Sequence, residues 1–163
     1  MQTAQRTQCS GLVHSILGAQ CLLLDVADAR SIPSQLAYAE ANRGNAPAAA
    51  QRMIEQAFAP CPVLRNEHGF WDHPAMVASD LNMDWPEWYA RYGYQFATST
   101  MADDADGANL LAIYDETGCC HLWEPLPPDA GAGWQLQSIF AADEIGPVAL
   151  WIRPAAAAME CAA

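Results

Sequence analysis

The chain contains no lysine. Its seven basic residues are all arginine and stand against nineteen aspartates and glutamates, for a formal charge of −12. Direct binding to nucleic acid or to an anionic membrane surface is excluded on that balance, since both need basic patches. There is also no CxxC pair: the six cysteines, at 9, 21, 61, 119, 120 and 161, have no regular spacing. A secreted disulfide scaffold would be smaller and denser in cysteine, so reduced thiols and a cytoplasmic location are expected. No signal peptide is apparent. The one apolar run, residues 12–26, is interrupted by His14, Ser15, Gln20 and Asp25 and is too short to span a bilayer, so no membrane partner is expected. GxSxG, P-loop, GxGxxG and HExxH patterns are all missing. No catalytic residue and no cofactor is therefore assigned, and the protein is not expected to be an enzyme.

What is present is a strong hairpin signal at residues 133–154. Trp134, Leu136, Ser138 and Phe140 alternate with Gln135, Gln137 and Ile139, as in a strand with one face on a core. The return run from Val148 to Ile152 is apolar at every position and reads as an inner strand covered on both faces. Asp143, Glu144 and the Gly146-Pro147 pair supply the turn. A further strand is expected over residues 94–100, where Tyr94, Phe96, Thr98 and Thr100 alternate with Gln95, Ala97 and Ser99. Leu110 to Tyr114 and Cys119 to Trp123, separated by Asp115 to Gly118, read as a second hairpin. A short helix over residues 105–112 is the alternative.

Helical signals dominate the first third. Leu12, Val13, Ile16, Leu17, Cys21 and Leu24 fit an amphipathic helix from about Ser10 to Ala29. Pro33 opens a second helix that stops at Gly44. Asn45 as N-cap with Pro47 in the first turn opens a third, whose buried stripe is Ala50, Met53, Ile54, Ala57 and Phe58. Asp84-Trp-Pro-Glu87 matches a capping box and starts a short helix closed by Gly93. The expected architecture is a single α+β domain, with N-terminal helices (residues 1–60) packed on an antiparallel sheet formed by residues 94–154. Residues 61–93 connect the two, and the alanine-rich tail, 155–163, is frayed.

Charge is unevenly distributed. Residues 1–71 carry five acids and five arginines, whereas residues 72–163 carry fourteen acids and only Arg91 and Arg153. Asp103, Asp104, Asp106, Asp115, Glu116, Asp143 and Glu144 are all expected in turns, where carboxylates reach solvent. Trp85 and Trp88, within one helical turn of each other, suggest an aromatic surface rimmed by acid, of a kind suited to protein recognition. Cys61, His68 and His73 are weak metal candidates whose spacing matches no usual zinc pattern; Cys119, Cys120 and His121 would add ligand atoms only if the fold gathered them. Asp72, His73, Glu67 and His68 offer acid and base groups without a specified nucleophile.

The segments GFWDHP (69–74), WEPLPP (123–128), GW-x-L-x-S-I (133–139) and GPVALW (146–151) resemble those of small acidic proteins carried on plasmids, phages and integrative elements of proteobacteria. The resemblance covers about the second two-thirds of the chain. It implies a mobile-element setting and carries over no site residue. The functional expectation is a protein that binds the basic surface of another protein, with an inhibitor mimicking nucleic-acid charge as the specific form. A regulatory or assembly module using the aromatic surface is the alternative, and a metal-dependent or acid/base hydrolase the third.

Overall fold

The computed structural model describes residues 12–17, 20–25, 31–78, 83–129, 131 and 133–155. The chain is α+β, and it divides into two compact units, Met1–Ala59 and Pro60–Ala163.

In the first unit the expected helix over residues 10–29 is replaced by two antiparallel strands, β1 (Leu12–Leu17) and β2 (Gln20–Asp25), paired from Leu12 with Asp25 to Leu17 with Gln20. Short apolar runs satisfy both periodicities, and Gly18 falls between the two runs, where a continuous helix would lose about 1 kcal/mol relative to alanine. Two helices follow, α1 (Ile32–Asn42) and α2 (Pro47–Ala57), each with proline in its first turn, where a missing N–H costs nothing. Ile32, Leu36 and Ala39 are buried on α1, and Ala50, Met53, Ile54 and Ala57 on α2. The N-cap of α2 is Ala46 rather than Asn45, and it makes no side-chain capping bond. Ala46 N–H instead donates to the Asn42 carbonyl at 2.8 Å, which closes α1 and leaves Asn45 one residue too early to cap.

The second unit is built on a four-stranded antiparallel sheet. Its strands are β3 (Trp71–Asp72), β4 (Tyr94–Thr100), β5 (Gln135–Ala142) and β6 (Gly146–Pro154), in the spatial order β3-β5-β6-β4. β6, which carries the uniformly apolar run 148–152, is therefore inner, and Leu150, Trp151 and Ile152 are all buried. Alternation along β6 divides its side chains between two layers. Ala149 and Trp151 join Met101, Cys120, Trp123 and Ile139 in one cluster, against which Leu110, Leu111 and Tyr114 pack. Those three lie on a helix, α4 (Gly107–Thr117), so the helical alternative holds and the hairpin expected over residues 110–123 does not form. With Gly107 they make a stripe at i, i+3, i+4 and i+7, and Gly118 closes α4 in the left-handed conformation with φ +67°. On the opposite face Phe96, paired with Ile152, stacks on Tyr89 of α3 (Trp85–Arg91) at 5.8 Å between ring centres. The expected capping box starts α3: the Asp84 carboxylate accepts the Glu87 N–H at 3.0 Å. The expected frayed tail beyond Ala155 lies outside the described residues.

Candidate protein-binding surface

A tight entry into α4 sets the acidic region. Met101–Asp103 forms one 3₁₀ turn capped by Thr100, whose hydroxyl accepts the Asp103 N–H at 3.3 Å and donates to the Asp103 carboxylate at 2.7 Å. Thr100-Met-Ala-Asp103 carries the T-x-x-D pattern that marks such a cap, a local signal from which this turn could be found. Gly107 admits no side chain, because a Cβ there would sit 2.4 Å from the Met101 carbonyl oxygen and 2.6 Å from that of Ala102. Asp103 and Asp106 are consequently held exposed at the start of α4. Asp104 is partly engaged: its carboxylate accepts the Trp123 indole N–H on one oxygen at 3.0 Å and the Ala105 N–H on the other at 2.8 Å, which leaves capacity on both.

Asp115 and Glu116 were expected in a hairpin turn but occupy the last turn of α4, exposed, because the helix runs on to Thr117. Asp143 and Glu144 do lie in the turn between β5 and β6, exposed, and Glu144 takes φ +69°. That turn reaches the middle of α4, since a Cβ on Gly146 would lie 3.0 Å from Leu111 Cδ2. The acids thus flank α4 at both ends, about 14 Å apart at 1.5 Å per residue, with the turn beside its centre. Among the described residues none of the seven pairs with an arginine. Arg65 is committed to the Trp123 carbonyl at 2.7 Å and to Glu124 at 3.4 Å. Arg153 is held by Gln95 at 2.7 Å and Asp129 at 3.3 Å, with its guanidinium 4.3 Å above the Trp134 ring. The Trp134 and Gly131 N–H groups, followed by Arg153, hold the Asp129 carboxyl below its usual range.

The aromatic surface does not form as expected. Trp88 is 6% exposed and belongs to the core, while Trp85 is half-buried with its ring edge-on to Trp88 at 6.0 Å. Trp85 and Trp88 meet Tyr89 and Tyr92 through i,i+4 ring contacts along the same helical segment, and Trp88, Tyr89 and Tyr92 are all buried.

Comparison with family models, curated proteins and solved structures finds no match to this chain.

The metal candidates are not gathered. His73 is 2% exposed at the end of β3 and its Nδ1 accepts the Ala75 N–H at 3.1 Å. Cys61 is partly buried, which raises its thiol pKa. Among the described residues no group of three or more histidines, cysteines or acids could hold a metal ion. The fold does bring residues 67–70 against 119–121, mainly through the backbone: Cys120 N–H donates to the His68 carbonyl at 2.8 Å, and His121 Nε2 meets the Glu67 carbonyl at 2.8 Å. Cys119 Sγ lies 3.7 Å from His68 Nδ1. Asp72 accepts the Ser138 hydroxyl across the β3–β5 pair, and His73 N–H donates to the Gln137 carbonyl at 2.7 Å, so this histidine is tied into the sheet edge.

Sequence reasoning missed a cleft of about 300 Å³ between the end of β4 and the proline-rich segment, lined by Ser99, Thr100, Asp103, Asp104, Trp123 and Leu126 together with Pro127 and Pro128. Its walls come from stretches about twenty residues apart in the chain, and no local pattern announces their meeting.

Proposed function

We propose that this protein binds the basic surface of another protein and competes there with nucleic acid, in the mobile-element setting that its resemblance implies. The observation that carries the reading is the band of carboxylates around α4, without an arginine partner for any of its seven acids among the described residues. The position of Asp115 and Glu116 adds support. Carboxylates at a helix C-terminus oppose the macrodipole, and the last turn of α4 has no basic residue to compensate. Acids kept where they weaken the helix are better explained by a partner than by solubility. The test is association with the captured basic partner across a salt series. A steep loss of affinity with salt is expected, together with slower association after charge reversal at Asp103 and Asp106.

A second reading, an assembly module, rests on apolar side chains instead. Leu64 and Leu122 are 79% and 69% exposed, and Arg65 ties their two segments together. Binding through them would be nearly indifferent to salt.

A further inference from the structure

The cleft beside the acidic band adds a point of recognition. At about 300 Å³ it sits at the small end of ligand pockets, which run to about 1,000 Å³, so it suits a side chain better than a nucleotide cofactor. Its chemistry is divided. Leu126, Pro127 and Pro128 make an apolar wall, and Trp123, almost fully covered, contributes to the lining. The two prolines stiffen that wall, and the Arg65 bond to the Trp123 carbonyl anchors its start, so little order has to be gained on binding. The other side carries Asp103 and Asp104. Among the described residues the Asp103 carboxylate receives only the Thr100 hydroxyl, on Oδ2, and each Asp104 oxygen receives a single donor, so both carboxylates have lone-pair capacity left. No arginine among the described residues reaches either acid.

We propose that this cleft seats an arginine side chain of the partner, with the guanidinium against Asp103 and Asp104 and the methylene stem along Leu126 and the prolines. This rests on the reading of the protein as a binder of basic surfaces and names the contact that gives the binding its register. Adjacent carboxylates suit the flat guanidinium fork better than the point charge of an ammonium, and an apolar wall suits the weakly hydrated cation.

The test is titration of the ¹⁵N-labelled full chain at low salt with N-acetyl-arginine methylamide, with the citrulline and lysine analogues run alongside. The expected result is saturable shifts confined to residues 100–105 and the Trp123 indole, absent with citrulline and weaker with lysine. Asp103→Asn should raise the dissociation constant about tenfold, the effect of one charge-assisted hydrogen bond. Leu126→Ser, at a position 67% exposed where folding is not at stake, should also weaken binding. Shifts on the outer face of α4 and at Asp143 and Glu144, with the cleft unmoved, would overturn the cleft and leave the acidic band standing. Equal or tighter binding of the lysine analogue would overturn the arginine assignment, and no shift anywhere would overturn the cleft, while the reading of the acids as a partner surface stands or falls separately on the salt series.

Discussion

Replacing Gly69 by alanine probes the crossing that holds the start of the cleft wall. Gly69 has φ +89°, and a Cβ there would lie 2.6 Å from His121 N, 2.8 Å from the Cys120 carbonyl carbon and 2.9 Å from Cys120 Sγ. Two of those atoms are backbone and cannot swing away. Gly93, at φ +84°, has nothing within 4 Å of the same position, so Gly93→Ala carries the conformational strain alone. Left-handed strain is about 1–2 kcal/mol and forced overlap in a packed site adds about 1–3 kcal/mol. Gly93→Ala should thus cost about 1–2 kcal/mol and Gly69→Ala about 2–5 kcal/mol, the latter a fall in melting temperature of roughly 6–15 °C for a chain of this size. Urea denaturation of both variants beside the parent protein measures the difference directly. Equal costs at the two positions would refute the close approach of residues 66–70 to residues 119–121.

Neutralising the end of α4 with Asp115→Asn and Glu116→Gln should raise stability by about 0.5–1 kcal/mol while weakening a basic partner, read by denaturation midpoint and binding assay on the same samples. Glu144→Gly should stabilise by about 1 kcal/mol, because φ +69° suits glycine, whereas Glu144→Ala should leave the midpoint nearly unchanged. Alkaline stability should fall from about pH 9 upward. Burial raises the Cys120 thiol above 9.0, and burial, then the nearby Asp72 carboxylate, raises the Tyr89 phenol above 10.0. Both groups keep their protons in the folded chain, so their contribution is complete below the unfolded values and is lost as pH rises past them toward the folded ones. Tyr89→Phe should flatten the part of the denaturation-midpoint profile above pH 10, and an unchanged profile would contradict the assignment.

Strands β4, β5 and β6 were legible because alternation, or its replacement by a uniformly apolar run, marks an extended chain; which face of β5 is covered was not, since an irregularity in register between Leu136 and Ser138 buries Gln137, Ser138 and Ile139 in succession and leaves Phe140 exposed. The capping box at Asp84 and Glu87 was legible for a similar reason, since both its donor and its acceptor are local. Residues 12–25 were misread because a run rich in leucine fits a helix stripe and a pair of strands equally well; pairing to a neighbour decides, and pairing is not local. Residues 107–118 were ambiguous for a different reason. Gly118 serves a hairpin turn as readily as a helix stop, and only the stripe of Gly107, Leu110, Leu111 and Tyr114 against the sheet separates the two. Charge was read correctly as a property of the second unit, but sequence could not say that Asp104 is tied to Trp123 or that Trp88 faces inward. The cleft depends wholly on residues 99–105 meeting residues 123–128.

Whether the carboxylates around α4 form a binding surface is decided by partner affinity as a function of salt for the parent chain and for Asp103→Lys with Asp106→Lys. A linear fall of log affinity with log salt is expected for the parent, and a shallower slope with slower association for the variant. A partner whose affinity is indifferent to salt and unchanged by both reversals would contradict it and transfer the binding to the apolar side chains at Leu64 and Leu122.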